Sequence, residues 1–161
     1  MSVTSATFSR TEGVSAVVLS SGFRASTRGS YASLSVVPVA DDANDSFHLL
    51  RALLTKAGYP VERATNGRLA WQSARSSDYS LILMDIEMPE MNGFEATRRI
   101  RDDERAAGRP GIPIVAVTAS QPEECEPLCR NAGCTGFLPK PVRKAELLQL
   151  VASLVPAAVA K

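Results

Sequence analysis

Five side chains in this sequence have types and positions that could act together: Asp41, Asp42, Asp85, Thr118 and Lys140. Asp41 and Asp42 close the run LSVVPVA, Asp85 closes LILM, Thr118 closes IPIVAV, and Lys140 follows TGFLP. A carboxylate at the end of so apolar a run costs free energy unless it is paired, bound to a metal or chemically employed. Three carboxylates brought together repel one another, and a divalent cation relieves that repulsion. Hard oxygen ligands with positions left for water suit Mg²⁺. A metal-bound carboxylate with its second oxygen available can attack phosphorus. The charge spread over the transferring group then needs the metal, an ammonium and a hydroxyl donor. In that chemistry Asp85 is the nucleophile, Asp41 and Asp42 are metal ligands, Lys140 is the counter-cation and Thr118 is the donor.

Such chemistry requires one fold edge to collect residues spread over a hundred positions. The hydrophobic pattern supplies one. Leu34–Ala40 is β-branched. Asp45–Ala57 carries Phe47, Leu50 and Leu54, with Leu49 and Leu53, as a helix stripe that Gly58 stops. Val61–Thr65 is a short strand and Arg68–Arg75 a short helix, with Trp71 expected to cover the sheet. Leu81–Met84 is a buried strand. Asn92–Arg105 is a helix, with Asn92 as N-cap and Glu95 three residues later. Ile112–Val117 is a strand, Pro122–Ala132 a helix ended by Gly133, Thr135–Leu138 a strand, and Val142–Val155 the last helix. Met84, Met88 and Met91 read as core and turn packing. Strict alternation of strands and helices predicts an α/β fold, a parallel sheet covered by helices on both faces. Apolar runs without alternation fit strands buried on both sides. In such open sheets the site lies beyond the carboxyl ends of the strands, where all five residues fall.

Bulk properties narrow the function. The chain has 161 residues, formal net charge +1 and 45% hydrophobic residues. That charge offers no attraction to nucleic acid or to an anionic membrane surface, and neither is expected as a partner. No apolar stretch is long enough to span a membrane. Three cysteines, Cys125, Cys129 and Cys134, do not resemble a secreted disulfide scaffold, and with one distant histidine, His48, they do not resemble a zinc site. They read as small packed thiols and His48 as a helix-surface residue; a cytoplasmic, reducing location is the expectation. Residues 1–33 are rich in Ser and Thr, without a sustained period, and read as a disordered arm. The same composition also matches a transit peptide, a misassigned start or a remnant of a longer parent. The organisation expected is an arm at 1–33, one domain at 34–156 and a tail at 157–161.

With these residues in place the sequence resembles the receiver domains of two-component response regulators. The resemblance runs from about Val36 to Val155 and rests on DD at 41–42, MDIEMPEMNG at 84–93, VTA at 117–119 and FLPKP at 137–141. It implies a flavodoxin-like, doubly wound five-stranded parallel sheet of order 2-1-3-4-5 with five helices. It also implies Mg²⁺-dependent transfer of a phosphoryl group from a phosphohistidine, on a histidine kinase or histidine phosphotransfer protein, to Asp85. Glu87 would add its backbone carbonyl to the metal ligands Asp41, Asp42 and Asp85. Thr118 and Phe137 would form the switch, altering the surface of the fourth helix, fifth strand and fifth helix. The Lys140–Pro141 bond is expected to be cis. EATRRIR, AAGRPGIP and RNAGCTGFLPKP are most similar to receivers of hybrid histidine kinases, which points to a phosphorelay with output by protein contact.

Two prolines depart from the pattern. Pro38 should make the first strand irregular or shifted, beside Asp41 and Asp42. Pro127 should leave the fourth helix short, kinked or loosely packed. These argue mildly for a competing function, a pseudo-receiver that binds protein without being phosphorylated, against which stands the presence of all five key residues. An aspartyl-phosphate hydrolase is less well matched, because Asp85-Ile86-Glu87 offers Glu where Asp is wanted. No phosphate-binding glycine motif follows any strand. The chain is therefore expected to be a phosphoacceptor module and not an enzyme acting on other substrates.

Overall fold

The computed structural model describes residues 7–8, 17–20, 36–40, 44–59, 61–76 and 79–154. Its elements are β1 (Thr7–Phe8), β2 (Val17–Ser20), β3 (Val36–Ala40), α1 (Asn44–Lys56), β4 (Val61–Ala64), α2 (Gly67–Ser76), β5 (Ile82–Asp85), α3 (Gly93–Ala107), β6 (Ile114–Thr118), α4 (Pro122–Ala132), β7 (Gly136–Pro139) and α5 (Lys144–Leu154). The sheet runs β1-β2-β7-β6-β5-β3-β4. Strands β4, β3, β5, β6 and β7 are mutually parallel, which is the expected 2-1-3-4-5 order.

Within residues 1–33, expected to be mostly disordered, Thr7–Phe8 and Val17–Ser20 form two short strands. β2 pairs antiparallel with β7, Val17 opposite Phe137 and Val18 opposite Gly136. An edge strand leaves a row of unpaired backbone groups, and β2 supplies partners for them. The remainder of 1–33, and the tail, lie outside the described residues.

Side-chain alternation splits the core in two. Leu83, Val115, Val117 and Leu138 face Phe47, Leu50 and Leu54 of α1 and Leu147, Leu150 and Val151 of α5. Ile82, Met84 and Ile114 face Ala70 and Ala74 of α2 and Ala96 and Ile100 of α3. Alternate residues of a strand point to opposite faces, so a strand covered on both sides is apolar throughout. Leu49, expected on the α1 stripe, faces outward at 51% exposure.

Both prolines leave their mark differently. The register of β3 against β4 shifts between Val36 and Pro38, and β3 pairs with β5 only at Val39 and Ala40. The missing amide thus loosens the entry of β3, while its carboxyl end is in register beside β5. Pro127, by contrast, does not stop α4, which continues to Ala132 and ends at Gly133 in the left-handed conformation. Trp71 is half-buried and packs against the core on this face of the sheet, as expected. It sits at the α2–α3 seam, its Nε1–H donating to Asp103 at 2.6 Å, with the guanidiniums of Arg75 and Arg99 over its ring. The buried residues of α2 are the small Gly67, Ala70 and Ala74.

Candidate functional site

β5 carries Asp85 at its last position, paired in register with Val117 of β6. Thr118, one residue on, is opposite Pro139 of β7. The order of the strands therefore brings Asp85, Thr118 and Lys140 to one edge although 55 positions separate Asp85 from Lys140. Lys140 Nζ lies 3.0 Å from Asp85 Oδ2, and the Glu87 backbone N–H donates to Asp85 Oδ1 at 3.0 Å. The carboxylate is only 5% exposed while the lysine is 28% exposed, so the ion pair is largely withdrawn from water. In such surroundings an opposite charge acts more strongly than on an open surface. Thr118 is buried, its Oγ1 accepting the Ser120 N–H at 3.0 Å and its carbonyl accepting the Lys140 N–H at 2.8 Å. The second contact ties the lysine's backbone to the end of β6. The Lys140–Pro141 bond is cis, as expected.

The turn after Asp85 is tied to the neighbouring strand and to the next helix by backbone hydrogen bonds. Ile86 N–H donates to Val117 O at 3.2 Å, and Gly93 N–H donates to Ile86 O at 3.0 Å. A Cβ on Gly93 would stand 2.3 Å from the Asp85 carbonyl oxygen, so glycine is what allows α3 to start against β5. Glu90 takes a positive φ of 65° to turn the chain. Asn92 then caps α3 by accepting the Glu95 N–H at 2.9 Å. Gly93 is a residue that the sequence motif contained but that reasoning from chemistry alone passed over; its signal was a glycine at the first turn of a helix, where side chains are normally tolerated.

Phe137 is fully buried, clustered with Ala116, Cys125, Cys129, Ala132 and Cys134. His48 is exposed on α1. All three cysteines are free thiols and buried. Asp41 and Asp42 lie outside the described residues, and among the described residues no group of three or more metal-ligating side chains occurs. The chain does enter Asp41 and Asp42 directly from Ala40, the register partner of Met84, one residue before Asp85. Asp85 is the carboxylate placed at this edge, and the oxygens that the sequence reading adds to it, those of Asp41, Asp42 and the Glu87 carbonyl, are all hard donors. That set fits a hard cation such as Mg²⁺ and not a soft metal.

Comparison with known proteins agrees with this geometry. Residues 37–152 match the response regulator receiver domain family. Hybrid signal transduction histidine kinase L of Dictyostelium discoideum is 34% identical over 121 residues, 73% of this chain but 7% of the kinase. The chain thus spans a small part of that relative's length. The receiver domain of sensor histidine kinase PA1611 from Pseudomonas aeruginosa, crystallised with magnesium in its active site cleft, superimposes with TM-score 0.68 at 31% identity, covering 78% of this chain and 100% of that one. The Saccharomyces cerevisiae receiver of Ssk1, in complex with the histidine phosphotransfer protein Ypd1, gives TM-score 0.72 at 27% identity, covering 75% of this chain and 89% of that one. Among the described residues, no helix is long and apolar enough to cross a membrane. On its fold, its Asp85–Lys140 edge and its match over residues 37–152, the chain belongs to the response regulator receiver domain family of two-component signalling.

Proposed function

We propose that Asp85 accepts a phosphoryl group from a phosphohistidine on a histidine kinase or histidine phosphotransfer protein, in a Mg²⁺-dependent reaction. The observation that carries this reading is the buried Asp85–Lys140 ion pair at 3.0 Å, at the carboxyl edge of the sheet. Asp41, Asp42, Asp85 and the Glu87 carbonyl would hold the metal, which would neutralise phosphoryl oxygens. Asp85 supplies the attacking carboxylate oxygen. Lys140 stands where charge gathers as the group arrives, and Thr118 offers its hydroxyl once it turns from its present contact with Ser120. The magnesium in the PA1611 receiver and the phosphotransfer partner of Ssk1 support both the cofactor and the partner class.

Phosphorylation would then be read through Thr118 and Phe137 at the α4–β7–α5 face, with output by protein contact. The domain would catalyse only its own phosphorylation and dephosphorylation, in the cytoplasm. The test is transfer from a purified, labelled phosphohistidine protein with Mg²⁺. Label should move to this chain, be lost on adding chelator beforehand, and be absent with Asp85→Asn. A folded protein that takes no label from any phosphohistidine donor, and binds no Mg²⁺, would favour the unphosphorylated scaffold.

A further inference from the structure

The two edges of the parallel sheet are not alike. β4 ends it on one side and carries Glu62 and Arg63, both exposed. Charged side chains on an edge strand discourage a further strand from adding. β7 ends it on the other side with Gly136, Phe137, Leu138 and Pro139, none of them charged. The next residue, Lys140, is held 3.0 Å from Asp85 and is drawn away from guarding this edge. Pro139 blocks only the last position, because proline brings no N–H. Gly136, Phe137 and Leu138 are left as an edge that accepts a strand.

A strand is added at this edge. β2 lies antiparallel to β7 through two residue pairs, Val17 with Phe137 and Val18 with Gly136. On the inner side, β6 pairs with all four residues of β7. β1 pairs in turn with β2, Thr7 opposite Ser20 and Phe8 opposite Leu19. Two pairs are a short contact, and a two-stranded hairpin is marginal by itself in water. The hairpin formed by β1 and β2 therefore depends on β7 for its order. Undoing the contact breaks none of the pairs among β3, β4, β5, β6 and β7.

We propose that this hairpin is a detachable cap: β2 fills, within its own chain, a strand-addition site on β7 and closes that edge to an extended segment of a partner. Recognition at such a site is by main-chain hydrogen bonding, so the ligand it takes is an extended peptide lying antiparallel to β7. The capped residues include Phe137, so the cap covers the strand at the centre of the face through which output is proposed. That consequence rests on the proposed function; the cap does not. A cap closed in about nine molecules of ten leaves about one in ten open and weakens a competing strand about tenfold.

The experiment compares the wild-type chain with the double variant Val17→Pro, Val18→Pro. The two prolines remove both N–H groups of β2 where it meets β7, and both positions lie outside the residues assigned to phosphoryl transfer. Amide hydrogen exchange and the solution mass by light scattering are measured for both proteins. Exchange at Val17 and Val18 should be slowed in the wild type. In the double variant β7 should exchange about tenfold faster while β5 and β6 keep their protection. A fluorescently labelled peptide of residues 14–22 should bind the double variant about tenfold more tightly than the wild type, read by anisotropy. Any one of four results would overturn the proposal: unprotected Val17 and Val18 in the wild type, equal β7 exchange in the two proteins, peptide binding no tighter to the variant, or a wild-type dimer that becomes monomeric when the hairpin is disrupted. The wild-type exchange at Val17 and Val18 decides the matter even if the variant does not fold. Neither Mg²⁺ nor a phosphodonor is present, so failure of Asp85 to accept a phosphoryl group leaves these results unchanged.

Discussion

Substituting Gly93 by alanine tests how tightly the acceptor is built into the sheet. The added Cβ would lie 2.3 Å from the Asp85 carbonyl oxygen, 2.9 Å from Met84 Cγ and 3.0 Å from Ile86 Cα. Contacts under 3.0 Å are essentially absent for real Cβ atoms, so the gap to the oxygen must open by at least 0.7 Å (3.0 less 2.3). Met84 is fully buried, and protein interiors are close-packed, so its side chain gives way only at a cost. The backbone of α3 or of the Asp85–Ile86 turn must move, weakening the Gly93–Ile86 hydrogen bond at 3.0 Å. Overpacking of this kind costs about 1–3 kcal/mol. The gain in helix propensity from glycine to alanine offsets up to about 1 kcal/mol. A net loss of about 1–2 kcal/mol should lower Tm by about 4–8 °C in a domain of this size. The displaced backbone is that of Asp85, so acceptor reactivity should fall further than stability alone explains. Thermal melting followed by circular dichroism, with phosphoryl uptake measured well below Tm, reads both effects. An unchanged Tm with unchanged uptake would refute the claim that α3 begins in contact with the acceptor turn.

Glu104→Ala removes the carboxylate that accepts from Arg101 at 2.7 Å and from the Ile112 N–H at 2.7 Å, and should cost about 2–3 kcal/mol by urea titration. Asp102→Ala, which breaks the exposed pair with Arg105, should change stability by less than about 0.5 kcal/mol in the same assay. Asn92→Ala removes the α3 cap and should lower stability by about 1 kcal/mol. Pro127→Ala restores an amide in the interior of α4 and should raise stability by about 1–3 kcal/mol, read as a higher urea midpoint.

The parallel sheet could be read from sequence because its strands are buried on both faces. ILMD and IVAVT are apolar without alternation, and every residue of both strands is buried. The acceptor edge was readable for a related reason: each polar side chain interrupts an apolar run at the place where a strand must leave the core. Other features depend on partners far along the chain. Arg101 and Glu104 look like a surface pair on one helix; nothing local shows that Arg101 also donates to Gly133 and Ile112. Trp71 covers the core as its size suggests, but nothing local shows that its indole N–H finds Asp103, 32 positions away. β2 was missed because VVLS is short and set in a Ser-rich stretch; its pairing is set by the edge of β7, not by any period of its own. Pro127 was expected to leave α4 short, kinked or loosely packed; the helix nevertheless runs on to Ala132, with Pro127 on its exposed side and Cys125 and Cys129 on the buried one.

The most direct measurement is intact mass after incubating the full chain with Mg²⁺ and acetyl phosphate, with Asp85→Asn and a chelated sample alongside. The expected result is one phosphoryl group per chain, absent from both controls. Folded wild-type protein that gains none, or an Asp85→Asn variant that gains one, would contradict the assignment of Asp85 as the acceptor.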